Sequence, residues 1–142
     1  MNAGPSLLLA CGLVAAGCTR DTVHAGPLEI RGAFAFAPIT LESTGAYLTI
    51  INHGTTSDTL VSVRCTCARA ATLHQSGPGG MVPRASVPIP AGDSLRMAPG
   101  GMHLMLTSLD HRAKPGERLT LVLRFARAGD VTLEVPVRPY AE

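Results

Sequence analysis

The residues of this 142-residue chain that are best suited to bind a metal are a histidine and a methionine near position 103. His103 and Met105 lie two positions apart, in a segment whose apolar character predicts a β-strand. Alternate side chains of a strand share a face, so an imidazole nitrogen and a thioether sulfur should lie side by side. Thioether sulfur is a soft ligand that suits monovalent copper, whereas magnesium and calcium prefer oxygen. The pair therefore predicts a Cu(I) site.

Met81 and His74 add a second thioether and a second imidazole to this pair. Twenty-one residues separate Met81 from His103, and six separate His74 from Met81. The resulting set consists of His74, Met81, His103 and Met105, with no carboxylate and no thiolate. Blue-copper electron-transfer sites require a cysteine beside two histidines, and the sequence has none near His103. The set therefore favours carrying copper as Cu(I) over redox cycling.

Short apolar segments separated by Gly, Pro, Asn and Asp predict an all-β fold, a sandwich or barrel, that positions these ligands. Residues 118–126 alternate most clearly, with Leu119, Leu121 and Leu123 directed inward. No segment has sustained helical periodicity. The predicted strands are residues 28–36, 45–52, 59–65, 69–74, 84–89, 94–97, 102–108, 118–126 and 131–137.

The candidate ligands should lie near the surface at one rim of this fold. Residues 99–101 have the sequence Pro-Gly-Gly, a turn signal that immediately precedes the strand of His103. Met81 follows a Gly-Gly pair and should also lie close to a loop. By strand alternation Met102 points away from His103, and Met97 and Met102 are expected to pack in the core or at the rim.

The first residues indicate export from the cytoplasm. Residues 7–17 form an apolar run of eleven residues, which is too short to span a bilayer but fits a secretory signal. Residues 13–18 end in small residues and Cys18 and resemble a bacterial lipobox, whose cysteine receives a lipid; a plain signal peptide is the alternative. We predict a lipoprotein-type signal peptide over residues 1–17, a tether over 18–27 and one β-domain over 28–142. The domain is then expected in the periplasm or cell envelope, held to the membrane by a lipid on Cys18.

The spacing from Met81 to the motif His103-x-Met105 carries a family resemblance, together with the Pro-Gly-Gly turn at 99–101 and the closing pair of apolar strands. In these features the chain resembles the periplasmic copper chaperones of the PCuAC type. The resemblance implies a single cupredoxin-like β-sandwich or barrel. It also implies one Cu(I) held by His74, Met81, His103 and Met105.

Two features depart from the usual pattern of that family. The spacer between His74 and Met81 is shorter than usual, but its three glycines and one proline predict a hairpin tip. A deletion at a tip leaves the flanking residues in place. The family usually has a tryptophan in its first strand, and this chain has none, so Phe34 or Phe36 is expected to fill that space.

The expected function is that of a non-enzymatic copper chaperone. The resemblance implies delivery of copper to cytochrome c oxidase assembly, with an oxidase subunit or another copper chaperone as the accepting partner. A copper-buffering or copper-resistance lipoprotein is one alternative, and a thiol–disulfide reductase acting through Cys65 and Cys67 is another. Hydrolysis is not indicated, because no serine lies in a Gly-x-Ser-x-Gly turn. The formal charge of +2 is too small and too scattered to indicate nucleic-acid binding.

Cys65 and Cys67 are the two cysteines within the predicted domain. Three interpretations stay open: a disulfide that closes a very small ring, two buried apolar side chains, or an accessory dithiol that binds Cu(I) or exchanges electrons. Six residues separate Cys67 from His74. A straight strand of that length would hold the sulfurs roughly 20 Å from this histidine, so we expect the pair to be separate from the four-ligand centre.

The remaining histidines, His24, His53 and His111, are expected in loops or on the surface rather than at a metal. Asp110 precedes His111 directly. Because adjacent residues of a strand point to opposite faces, these two side chains are not expected to form a dyad.

Overall fold

The computed structural model describes residues 21–140, in which eleven β-strands and no helix are formed. The predicted signal peptide and the predicted lipidation site, Cys18, lie outside the described residues. No helix within residues 21–140 is long and apolar enough to cross a membrane. The strands are β1 (Val23–Ala25), β2 (Leu28–Phe36), β3 (Ser43–Asn52), β4 (Asp58–Cys65), β5 (Ala68–Gly77), β6 (Gly80–Arg84), β7 (Val87–Ile89), β8 (Ser94–Arg96), β9 (Met102–Leu109), β10 (Arg118–Phe125) and β11 (Gly129–Arg138).

The strands are hydrogen-bonded in the order β6-β5-β9-β3-β2-β11-β10-β4-β7, with β1 added to β2 and β8 to β3. All pairings are antiparallel except that of β11 with β2. The sheet closes almost completely into a barrel, which confirms the predicted all-β class. In this order β9 lies between β5 and β3, so three strands support the region that contains His103.

The barrel interior is built from the alternating apolar residues of each strand. In β10 the predicted inward set is buried, and β11 follows the same period. The fully buried leucines and isoleucines from the other strands meet them, and each such side chain contributes roughly 1.5–3 kcal/mol when it leaves water. These residues are Leu28, Ile30, Leu48, Ile50, Leu60, Ile89, Leu104 and Leu106.

Eight of the nine predicted strands are present with bounds that differ by at most three residues. The ninth, predicted over 84–89, is wrong in extent, because the chain bends at residues 85–86 and forms two strands. β6 pairs with β5, whereas β7 pairs with β4, so the two strands belong to different parts of the sheet. Nothing in the sequence of residues 84–89 indicates where the two strands divide.

The start of the folded domain also differs from the prediction. Residues 23–25, predicted as part of a tether, form β1 and pair with β2. The connecting loop has only two residues, Gly26 and Pro27, and Gly26 has φ +57°. Glycine tolerates this conformation at the first central position of a tight hairpin turn. The ordered sheet therefore begins at Val23 rather than at residue 28.

Candidate metal site

β9 presents the predicted ligand pair on the outer face of the sheet. Leu104 and Leu106 are fully buried in the barrel interior, so His103 and Met105, which alternate with them, point outward. The turn before β9 places Gly100 at φ +84°, and Gly101 N–H donates to the Ala98 carbonyl at 2.9 Å. His103 and Met105 therefore share one face at the beginning of a strand, as predicted.

His74 lies directly opposite His103 across the β5–β9 pairing. Residues that are directly opposite in antiparallel strands share a face. The two imidazole rings are stacked, with centroids 5.8 Å apart and an angle of 16° between their planes. The Nδ1 atom of His74 also lies 3.2 Å from the hydroxyl of Thr72, the residue opposite Met105.

Met81 reaches the same face because β5 and β6 form a tight hairpin. The loop at its tip is Pro78 and Gly79 alone, and Met81 lies opposite Ser76. Ser76 is two residues from His74 and shares its face. Its N–H donates to the Gly101 carbonyl at 3.1 Å, which attaches the hairpin to the turn before β9. The short spacer thus forms a hairpin tip, as predicted.

Three of the four predicted ligands line one open groove of about 570 Å³: Met81, His103 and Met105. His74 does not line it, although its ring stacks on that of His103. Among residues 21–140 no cluster of three or more His, Cys, Asp or Glu side chains is placed to hold a metal ion. Any metal at this groove therefore depends on the two thioethers.

The ring of His103 is held in a defined tautomer. Its Nδ1 lies 3.0 Å from the Gly101 carbonyl, and because a carbonyl only accepts, Nδ1 must donate its hydrogen. In the neutral ring the lone pair is then on Nε2, the arrangement that metal-binding histidines use. His103 is only 5% exposed, whereas Met81 is 55% exposed. The predicted surface position is therefore right for Met81 and wrong for His103.

An aromatic cluster covers His103 and explains its burial. Tyr47 lies 6.3 Å from the His103 ring, stacks on Phe34 at 5.1 Å and meets Phe36 at 5.6 Å, measured between centroids. Tyr140, near the C-terminus, packs on Phe36 at 5.4 Å. Burial raises the pKa of the Tyr47 hydroxyl above its ordinary value, and nearby Tyr140 raises it further. Phe34 and Phe36 thus occupy the outer face beside the site.

Gly45 allows Tyr47 to take this position. The hydroxyl of Tyr47 folds back over Gly45, where an added Cβ would lie 2.6 Å from it. Gly45 is also the residue opposite Met105 in the β3–β9 pairing. Tyr47 was not among the predicted site residues, although its outward alternation with Gly45 is the pattern that could have indicated it.

Two cysteines and two further methionines of the described residues do not line the groove: Cys65, Cys67, Met97 and Met102. Cys65 and Cys67 are joined by a disulfide bond and both are buried. Cys65 is the last residue of β4 and Cys67 lies in the turn before β5, whereas His74 lies toward the far end of β5, so the expected separation is confirmed. Met97 is buried in the core and Met102 packs against it, as predicted.

The prediction that the side chains of Asp110 and His111 do not form a dyad is wrong. Asp110 Oδ1 lies 2.6 Å from His111 Nδ1, and Glu117 Oε2 lies 3.2 Å from His111 Nε2. β9 ends at Leu109 and the chain bends there, so strand alternation no longer separates the two side chains. The carboxylate of Asp110, and secondly that of Glu117, raises the pKa of His111 above its ordinary value.

Comparison with known proteins agrees with this geometry. The family model for LpqE-like lipoproteins matches residues 28–137. A protein of Leifsonia xyli subsp. xyli, named lipoprotein Lxx21020, is 29% identical over 103 residues, which span 69% of this chain. The match covers 62% of that relative, so the chain spans less than two thirds of its length.

Several solved structures share the fold. The copper-bound PCuAC domain of PmoF2 superposes with a TM-score of 0.76 at 22% identity, covering 84% of this chain and 98% of that domain. The apo PCuAC domain of PmoF1 gives 0.74 at 24% identity, covering 84% and 99%. The Cu(I) form of DR1885 from Deinococcus radiodurans gives 0.66 at 25% identity, covering 87% and 83%. The predicted PCuAC-type, cupredoxin-like fold is therefore confirmed.

Proposed function

This chain belongs to the LpqE-like lipoprotein family, and from that premise we propose that it is an extracytoplasmic chaperone for Cu(I). The ligands we assign are His74, Met81, His103 and Met105. The observation that supports the proposal is that Met81, His103 and Met105 line the same groove. Two solved neighbours of the same fold are themselves described as copper-bound or Cu(I)-bound.

The donor set suits carriage of copper. Imidazole and thioether are neutral donors, so the bound ion keeps its single positive charge, and soft sulfur favours Cu(I) over harder metals. The buried, hydrogen-bonded His103 supplies one ligand of fixed orientation. The exposed Met81 supplies a ligand that an incoming donor can reach. This asymmetry favours delivery over long-term storage.

The location and the recipient belong to the same proposal. Membership of a lipoprotein family supports a lipid anchor, for which Cys18 is the predicted residue. Such an anchor would keep the domain at the cell envelope, facing the periplasm. The resemblance to PCuAC chaperones supports a copper-accepting partner, either an oxidase subunit or another copper chaperone. Assembly of cytochrome c oxidase is the process that this partner implies.

A Cu(I) competition titration against a chromophoric chelator tests the binding step. We expect one equivalent of Cu(I) to be withheld from the chelator by the protein. The Cys65→Ser/Cys67→Ser double variant should withhold the same amount, since these residues do not line the groove. Loss of binding in that variant would instead assign the Cu(I) ligands to Cys65 and Cys67.

A deletion strain tests the delivery step. Loss of oxidase activity that added copper restores is the result expected for a chaperone. Copper sensitivity with normal oxidase activity would instead indicate a buffering lipoprotein. Complementation with the chain carrying Cys18→Ala tests whether the lipid anchor is needed for either phenotype.

A further inference from the structure

Exposed apolar side chains are concentrated at the groove. Five large hydrophobic residues are exposed within residues 21–140, and three of them line it: Ile39 at 67%, Met81 at 55% and Tyr140 at 59%. A fourth, Leu41, lies in the same loop as Ile39. A contiguous exposed apolar patch on a soluble domain marks an interaction site more often than chance exposure does. The candidate ligands thus open onto an apolar rim.

Three arginines form a band beside this rim. In the sheet Arg31 lies opposite Thr49, and Thr49 lies opposite Arg96. Paired residues share a face, so both arginines point outward, roughly 10 Å apart at their backbones. The guanidinium of Arg138 lies 4.4 Å from the centroid of the Phe34 ring, on the same side of the sheet. We call Arg31, Arg96 and Arg138 the arginine band.

The band has a net positive charge. Two carboxylates, Glu29 and Asp21, line one pocket with Arg31 and Arg138. Glu29 already bonds His53 at 2.7 Å and Arg31 at 3.4 Å, and Asp21 is paired with Arg118. Neither Arg96 nor Arg138 forms a salt bridge with a carboxylate in the part of the chain that the structure describes. Two guanidinium groups are therefore available to an acidic partner.

The band and the groove form one continuous surface. Thr49 is two residues from Tyr47 along β3, a distance of about 7 Å. Tyr47 lines the groove and packs near His103. Phe34 joins the groove to the band, because the ring of Tyr47 stacks on the Phe34 ring and the guanidinium of Arg138 also lies over the Phe34 ring. A partner that covers the groove would therefore meet the arginines as well.

We propose that this surface docks an acidic copper-accepting protein, whose incoming ligand displaces the Met81 sulfur first. The inference rests on the proposed function, since it assigns the partner of the same site. In the step, a bond forms between Cu(I) and the partner's donor atom while the bond from Met81 breaks. Copper stays monovalent and no electron moves. His103, being buried and hydrogen-bonded, is the last ligand to leave.

Charge complementarity decides between possible occupants. An anionic membrane would also attract arginines, but it offers no donor atom that suits Cu(I) at the groove. An acidic protein supplies both negative charge at the band and a soft ligand at Met81. Complementary charge of this kind mainly raises the rate of encounter, and salt suppresses it.

Three synthetic peptides test the proposal. They share a central Cys-Ser-Gly-Cys pair that takes Cu(I) and are flanked by glutamates, serines or lysines. From the Cu(I)-loaded protein at low salt, we expect transfer to the glutamate peptide to be about tenfold faster than to the serine peptide, with the lysine peptide slowest. At about 1 M salt, where the Debye length is ~3 Å, the three rates should converge.

Matched variants locate the effect. Arg31→Ser/Arg96→Ser should slow transfer to the glutamate peptide at least about fivefold. Arg64→Ser/Arg127→Ser removes the same charge on β4 and in the β10–β11 turn and should leave the rate unchanged. For the apolar rim, Ile39→Ser should slow transfer to all three peptides. Val82→Ser removes another exposed apolar side chain, which faces away from Met81 on β6, and should not slow transfer.

Several results would overturn the docking proposal. Equal rates for the three peptides at low salt would do so, as would equal slowing by both arginine pairs. Binding to phosphatidylglycerol vesicles that requires the arginine band, with peptide rates unaffected, would assign the surface to lipid. Concentration-dependent dimerisation that Ile39→Ser abolishes would assign it to a second copy. If the protein binds no Cu(I), the proposed function fails. The docking surface is then tested separately by measuring the affinity of the glutamate peptide for the copper-free protein, and no preference for this peptide over the serine peptide would overturn the docking proposal.

Discussion

Two cavities of this molecule have the same volume, about 570 Å³ each, but differ in whether the polar atoms that line them are hydrogen-bonded. The first lies between Asn52 and Asp58 and the β10–β11 turn. The second is the groove with Met81, His103 and Met105. Volume does not distinguish them, so the difference must be found in how each region uses its polar atoms.

In the first region every buried polar group is satisfied by the backbone. The carboxylate of Asp58 accepts hydrogen bonds from the N–H groups of Thr59 at 2.8 Å, Arg127 at 2.8 Å and Ala128 at 3.0 Å. The Asn52 amide donates to two carbonyls, at 2.9 Å and 3.0 Å, and accepts from Gly54. Such saturation stabilises loops and leaves neither of these two buried side chains free for a ligand.

In the groove the donor atoms are left available. His103 uses Nδ1 for the Gly101 carbonyl, and Nε2 has no hydrogen-bond partner within residues 21–140. The two methionines contribute sulfur atoms that form only weak hydrogen bonds. The saturated polar atoms stabilise the first region, whereas the donor atoms of the groove stay free to bind a ligand.

The largest effect on stability should come from Asp58. The Asp58→Ala variant leaves three backbone N–H groups without their acceptor, and we expect a loss of about 3 kcal/mol in the free energy of unfolding, measured in urea. Asp93→Ala removes an exposed carboxylate that accepts one bond, from Ser94 at 2.7 Å, and should cost less than about 1 kcal/mol. Equal losses in the two variants would mean that the Asp58 contacts contribute nothing specific.

A smaller effect is expected at Gly45, which connects stability with the groove. In Gly45→Ala the new Cβ meets the Tyr47 hydroxyl at 2.6 Å, so the ring must shift from its place over His103. We expect a loss of about 1–2 kcal/mol, and weaker binding of Cu(I). The control is Gly77→Ala, where no atom lies within 4 Å of the added Cβ. Unchanged copper affinity in Gly45→Ala would separate Tyr47 from the site.

The smallest effect concerns the exposed pair that strand alternation failed to predict. Asp110 is the main cause of the raised pKa of His111, and Glu117 is the second. The stabilisation is therefore complete below the pKa of the unfolded histidine and is lost as pH rises through the higher folded pKa. In an NMR titration of the His111 ring, Asp110→Asn should lower the midpoint more than Glu117→Gln does. A larger shift from Glu117→Gln would contradict this order.

Local alternation in the sequence was enough to predict most of the barrel and the shared face of His103 and Met105. It also predicted that the short spacer before Met81 is a hairpin tip, since glycine and proline mark turns wherever they occur. These features depend on neighbours within a few residues. That is the range over which strand period and turn chemistry act.

The features that the sequence did not reveal depend on contacts between distant segments. His103 is buried because the rings of Tyr47 and His74, which come from other strands, pack beside it. The division of residues 84–89 into parts of two strands reflects pairing with different partners. The contact of Asp110 with His111 arises where a strand ends. In each case tertiary packing overrides a local pattern.

A Cu(I) competition titration on two pairs of methionine variants tests whether the groove binds copper through its thioethers. Met81→Leu/Met105→Leu removes both sulfurs of the groove, and Met97→Leu/Met102→Leu removes two that pack in the core. Leucine nearly preserves the volume of methionine, so packing is kept in both cases. We predict at least about a hundredfold loss of Cu(I) affinity, ~2.7 kcal/mol, for the groove pair and no loss for the core pair. Full affinity in the groove pair, or an equal loss in the core pair, would contradict the account.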